Sequence, residues 1–188
     1  VDDVLIERLD GARLQLQVPQ KMPRAKSPLL GSYATIIKDG GLFRAIYRVD
    51  DKTYAGKRFD GDASVMTAYA ESTDGHEWTF PQLGLVDVAG SRANNVILRE
   101  SPACHTFSPF LDTRPGVPPG ERFKALAGLH NEAIAVARKT DPAAIPPGVK
   151  GGLYAYASPD AIHWRKLSPE PVIPSSAAGA FGFDSQNV

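Results

Sequence analysis

Six polar side chains stand beside apolar runs in this chain. Asn94 and Asn95 precede Val96-Ile97-Leu98, His105 and Asp112 bracket Thr106 to Leu111, and Asp184 and Gln186 lie near the last residue. Each type has a chemistry and a structural alternative. An Asn amide offers two donors and an acceptor, which suits ligand hydroxyls, and it caps turns equally well. His105 suits a ligand contact or acid–base work, or an ordinary half-buried position. Asp112, followed by Thr113-Arg114-Pro115, reads as a binding carboxylate or a loop cap. Asp184 reads as an acid–base carboxylate or a turn cap. If residues 183 to 188 are extended, alternation puts Gln186 on the face of Asp184.

Other chemistries find no support. Cys104 is the one cysteine, so no internal disulfide is possible. On a strand, Cys104 and His105 would point to opposite faces, so Cys104 reads as a small, semi-buried residue. No His-Glu-x-x-His, cysteine pair or phosphate-binding Gly loop occurs, so neither a metal nor a nucleotide cofactor is expected. Lys plus Arg and Asp plus Glu both number 21, and no long basic run exists. Nucleic acid is therefore not an expected partner, because phosphate binding needs a basic face. No apolar run approaches the roughly 20 residues of a membrane-spanning helix. The opening Val1-Asp2-Asp3 lacks the pattern of a secretory leader.

The elements that must position these residues read as short strands. The 188 residues include 17 Gly and 16 Pro, scattered along the whole chain. Such punctuation breaks helices and bounds strands. Strands are expected over 33–37 and 42–48, joined by a tight turn at Lys38-Asp39-Gly40-Gly41. Further strands are expected over 65–71, 105–111, 122–128 and 152–157. Residues 131–139 suit a short helix or a strand, and 141–148 and 114–121 are loops by composition.

Two strands run into one phrase. Ser72-Thr73-Asp74-Gly75-His76-Glu77-Trp78 and Ser158-Pro159-Asp160-Ala161-Ile162-His163-Trp164 share Ser, Asp and Trp at the same spacing and hold both Trp residues. Ala-Tyr-Ala precedes each phrase, at 68–70 and 155–157. The Ser and Asp side chains can accept turn N–H groups, and the Trp can anchor on a sheet or between sheets. The phrase thus predicts a hairpin connector with an anchor. Ala161, where the first copy has Gly75, must either avoid positive φ or carry strain.

Repeated antiparallel units that close on one hairpin predict an all-β protein, a β-propeller. Unit one spans about 32–87 and unit two about 104–173, with an insertion at 129–150. A third unit begins near Phe183. Two blades and one further strand do not close a ring, which predicts the N-terminal part of a longer protein. A β-sandwich is the structural alternative.

The chain also resembles a known group. Val1 to Glu7, Ser72-Thr73-Asp74-Gly75 with Trp78 and Pro81, Gly90 to Leu98, His105 to Asp112, Arg122 to Leu126 and Phe183 to Val188 carry the likeness. They are similar to bacterial five-bladed β-propellers labelled glycosyl hydrolase family 32 N-terminal-like, related to families 43 and 117. The resemblance implies hydrolysis of glycosidic bonds by carboxylates in a central funnel, where one acid protonates the leaving oxygen and another attacks or activates water. It implies a carbohydrate partner, and export for members that act on polysaccharides. It puts Asp184 at the third-blade catalytic position and Asn94, Asn95, His105, Asp112 and Gln186 among substrate contacts. The first-blade nucleophile has no counterpart, since Tyr33 to Ile37 carries no acid and Asp39 lies in the turn. A non-catalytic, glycan-binding or scaffolding propeller is the alternative.

Overall fold

The computed structural model describes residues 8, 10–13 and 15–177. It is mostly β, with two antiparallel sheets and one α-helix among the described residues. The first sheet runs in sequence order: β1 (Ser32–Asp39), β2 (Leu42–Asp50), β3 (Val65–Ser72) and β4 (Val96–Leu98). The second contains β5 (Ser108–Leu111), β6 (Phe123–Ala127), β7 (Gly152–Ser158) and β8 (Arg165–Lys166), again in sequence order. A further strand, β9 (Ile173–Pro174), pairs with the start of β7. The helix α1 (Asn131–Thr140) occupies the expected insertion and resolves its helix-or-strand ambiguity.

Local chemistry explains these elements. Asp39 pairs with Leu42, leaving Gly40-Gly41 as a two-residue hairpin with φ of 62° at Gly40. Such loops need positive φ, which glycine adopts without strain. The Ser-x-Asp phrases form the same turn twice. Ser72 Oγ accepts the N–H groups of Asp74 (3.2 Å) and Gly75 (2.8 Å), and Asp74 accepts those of His76 (2.8 Å) and Glu77 (2.9 Å). Asp160 likewise accepts the N–H groups of Ile162 (2.9 Å) and His163 (2.8 Å). Ala161 takes φ of 67° where Gly75 has 73°, so the second copy carries the strain. Its methyl is fully buried.

The chain returns identically after both turns. Thr79 bridges Glu71 in the first sheet, and Arg165 pairs with Ala157 in the second. In each, the returning residue directly follows Trp and its partner directly precedes Ser. The outer edge of β3 is then completed by β4, and that of β7 by β9. The first sheet therefore extends past Asp87 to Leu98.

One apolar cluster joins the sheets. It includes Ile37, Ile46, Tyr69 and Ile97 from the first and Phe123, Ala125, Tyr154 and Tyr156 from the second. Alternation sends Ala45, Tyr47, Ala68 and Ala70 to the other face of the first sheet, where they pack with Trp78. Trp164 instead lies against the joint cluster, edge-on to Phe107 with ring centroids 5.0 Å apart. The phrase thus anchors once on a sheet face and once against the shared core. Full burial of a large apolar side chain such as Phe contributes about 1.5–3 kcal/mol. The opening strands β1 and β5 are in contact.

One expected strand is shorter. Residues 103–105 form a 3-10 turn, in which His105 N–H donates to Pro102 O (3.1 Å) and Thr106 N–H to Ala103 O (3.2 Å). These bonds draw the backbone away from the ladder, which begins only at Ser108.

Candidate functional site

Two arginines on β2 define the polar geometry. Arg44 and Arg48 alternate with the outward Ala45 and Tyr47 and flank core-facing Ile46. At the hairpin end, Arg44 meets Asp39 (3.2 Å) and donates to Tyr69 Oη (2.9 Å) and Asp160 O (3.3 Å). Asp39 also accepts from Arg122, just before β6, at 2.7 Å. This carboxylate is thereby committed to tying the two sheets together.

Arg48 lies at the opposite end, and its surroundings differ. Its Nη1 lies 3.2 Å from His105 Nδ1 and donates to His105 O at 3.3 Å. A guanidinium only donates, so Nδ1 of His105 is the acceptor. His105 Nε2 faces exposed Asp60 at 4.0 Å. The Arg48 guanidinium also stacks on the Tyr33 ring, 3.9 Å from its centroid. No carboxylate among the described residues pairs with Arg48.

A bulge lies beside that stack. Ser32 pairs with Arg48 but Thr35 pairs with Ile46, so Tyr33 and Ala34 together oppose Tyr47. Continued from the hairpin, where Asp39 pairs with Leu42 and Thr35 with Ile46, an unbroken register would set Tyr33 opposite Arg48, on the same face. Tyr33 also sits at φ of 50°, which costs a non-glycine residue about 1–2 kcal/mol. The residue remains 64% exposed. An exposed aromatic beside polar donors can stack a flat ligand ring and orient its substituents.

The residues expected from sequence separate. His105 belongs to this start-end group. Asp112 lies beyond the far end of four-residue β5, roughly 13 Å away along the strand. Its side chain is 2% exposed and bonds Arg114 (2.6 Å) and Lys124 (2.7 Å). Arg114 and then Lys124 hold its carboxyl well below the usual range. Asn94 and Asn95 lie beside β4, at the edge opposite β1. Asn94 donates to Val86 O (2.9 Å) and Ser91 O (3.0 Å) and accepts from Val96 N–H (3.0 Å), which uses both amide protons and its oxygen. Asn95 donates to Tyr47 Oη (2.7 Å) and Tyr69 O (2.6 Å). Burial, partly offset by Asn95, raises the Tyr47 phenol. Asp184 and Gln186 lie outside the described residues, as does the expected start of a third unit.

Cys104 is buried, with its thiol directed at Leu98 O (3.4 Å), and burial pushes the thiol up. No three His, Cys, Asp or Glu side chains among the described residues are grouped to hold a metal. No helix among them is long and apolar enough to cross a membrane. Tyr33 and Arg48 were missed as site residues. The available signal was Arg44 and Arg48, two charges on the core-facing register of an apolar strand.

No protein-family model matches the chain, and no curated protein is significantly similar to it.

Proposed function

We propose that this chain contributes two blades to a carbohydrate-active β-propeller, five-bladed when complete, that hydrolyses glycosidic bonds with paired carboxylates. The observation that carries this reading is the matched construction of the sheets. Each is an antiparallel meander in sequence order, and each closes on the same Ser-x-Asp turn. Their opening strands touch, as the inner strands of neighbouring blades must around a central axis. The likeness of the sequence to glycoside hydrolase propellers supplies the chemistry. Tyr33 suits it, because sugar rings stack on exposed aromatics.

Asp184 is the proposed catalytic carboxylate, and Gln186 a proposed substrate contact. Its partner acid should lie about 5–10 Å away. The reaction needs no cofactor. The test is hydrolysis of a panel of oligosaccharides by the full chain and by Asp184→Asn. We expect the variant to lose about 10²–10⁴-fold in rate while still binding sugar. Equal rates would remove Asp184 from catalysis.

One observation favours the non-catalytic alternative. Asp39 and Asp112, the carboxylates at the finish of β1 and beyond β5, are both tied to basic side chains. Sugar binding by the wild type without turnover on any substrate would select a glycan-binding propeller.

A further inference from the structure

We infer that the Tyr33–Arg48 group is a subsite for an acidic sugar, one whose carboxylate is held by the Arg48 fork that Tyr33 supports from below. The inference rests on the carbohydrate reading above and names the sugar class. Its basis is the contrast between the two arginines of β2. Arg44 is matched by Asp39 and Tyr69. Arg48 is half-buried on the same register, yet its partners are a ring face, a ring nitrogen and a carbonyl. A partly buried cation without a counter-charge is costly to keep, and a ligand anion would relieve it.

Geometry selects the anion. The Arg48 bonds to His105 both use Nη1. The Nε and Nη2 donors, which form the side edge of the guanidinium, make no hydrogen bond among the described residues. That edge presents two parallel N–H groups, the arrangement that grips a planar carboxylate bidentately. Stacking on Tyr33 and the contacts to His105 fix the plane of the fork beforehand. The positive φ at Tyr33 bears on the same point, because backbone strain of this kind persists only where the surrounding structure holds the residue in place.

The experiment is calorimetric titration of the full chain with tetragalacturonate, with its reduced neutral counterpart tetragalactose, and with a sulfated galactose tetramer. Galacturonate should bind most tightly, and Arg48→Gln should weaken it roughly 10- to 100-fold while changing tetragalactose little. Arg48→Lys keeps the charge and the stem but loses the fork, so it should recover only a small part of the loss. Tyr33→Ala removes the support under the guanidinium and should weaken galacturonate more than tetragalactose. If the neutral sugar binds as well as galacturonate, or if Arg48→Lys binds galacturonate like the wild type, the acidic subsite is overturned and the carbohydrate reading stands. Equal binding of the sulfated tetramer would overturn the assignment to a carboxylate. If none of the three binds, the acidic subsite is overturned, and the oligosaccharide panel decides the carbohydrate reading separately.

Discussion

Asp74 and Asp160 do the same work in the two copies of one turn. Both carboxyls are held down at about 2, against an ordinary value of 3.8. For Asp74 the N–H groups of His76 and Glu77 are responsible, with Ser72. For Asp160, burial pushes upward, but the bonds from His163, Ile162 and Ser158 outweigh it. A carboxylate lowered in the folded state stabilises fully above its unfolded value, and that contribution disappears as pH falls through the folded value. The urea midpoint should therefore decline between about pH 4 and pH 2. The double variant Asp74→Asn, Asp160→Asn should be less stable at neutral pH and should flatten this decline. An unchanged slope would remove the two turns as its source. A second test isolates backbone strain. A methyl added at Gly75 would meet only the Phe43 ring, at 3.8 Å, so Gly75→Ala should cost about 1–2 kcal/mol through its φ alone.

Between elements, the Asp39 carboxylate is the contact that most directly couples the β1–β2 hairpin to the strand entering the second sheet. It accepts from Arg44 on one side and Arg122 on the other. Removing it leaves two neighbouring cations unmatched. Asp39→Ala should therefore destabilise by about 1–3 kcal/mol, and a double-mutant cycle with Arg122→Ala should show coupling. An additive cycle would show that the apolar cluster alone joins the sheets. The elements themselves were largely legible in the sequence. The longer strands alternate over five to nine residues between Gly and Pro signals, and β1, β2, β3, β6 and β7 fall where that pattern puts them. β4, β8 and β9 are only two or three residues long, too short for alternation to register. The site was harder. The meeting of Tyr33 with Arg48 follows only once the register of the Gly40-Gly41 hairpin is fixed, and Asn94 and Asn95 became turn and edge ties because their neighbours supplied matching backbone groups.

For the molecule as a whole, the joint cluster predicts that the two sheets lose structure together. Phe123 is fully buried within it, and Phe123→Ala should cost about 3–5 kcal/mol. Two-state loss predicts that this substitution shifts the transitions of both sheets equally. The two phrase tryptophans make that separable without any added label. Trp78 is 5% exposed on the face of the first sheet, whereas Trp164 is half-buried and donates its indole N–H to Ala161 O at 2.9 Å. Their emission should differ, with Trp78 bluer. The variants Trp78→Phe and Trp164→Phe each leave one emitter, so the chain has an optical probe for each sheet. A single shared midpoint would mean one cooperative unit, and two midpoints would mean that the repeats melt as independent modules.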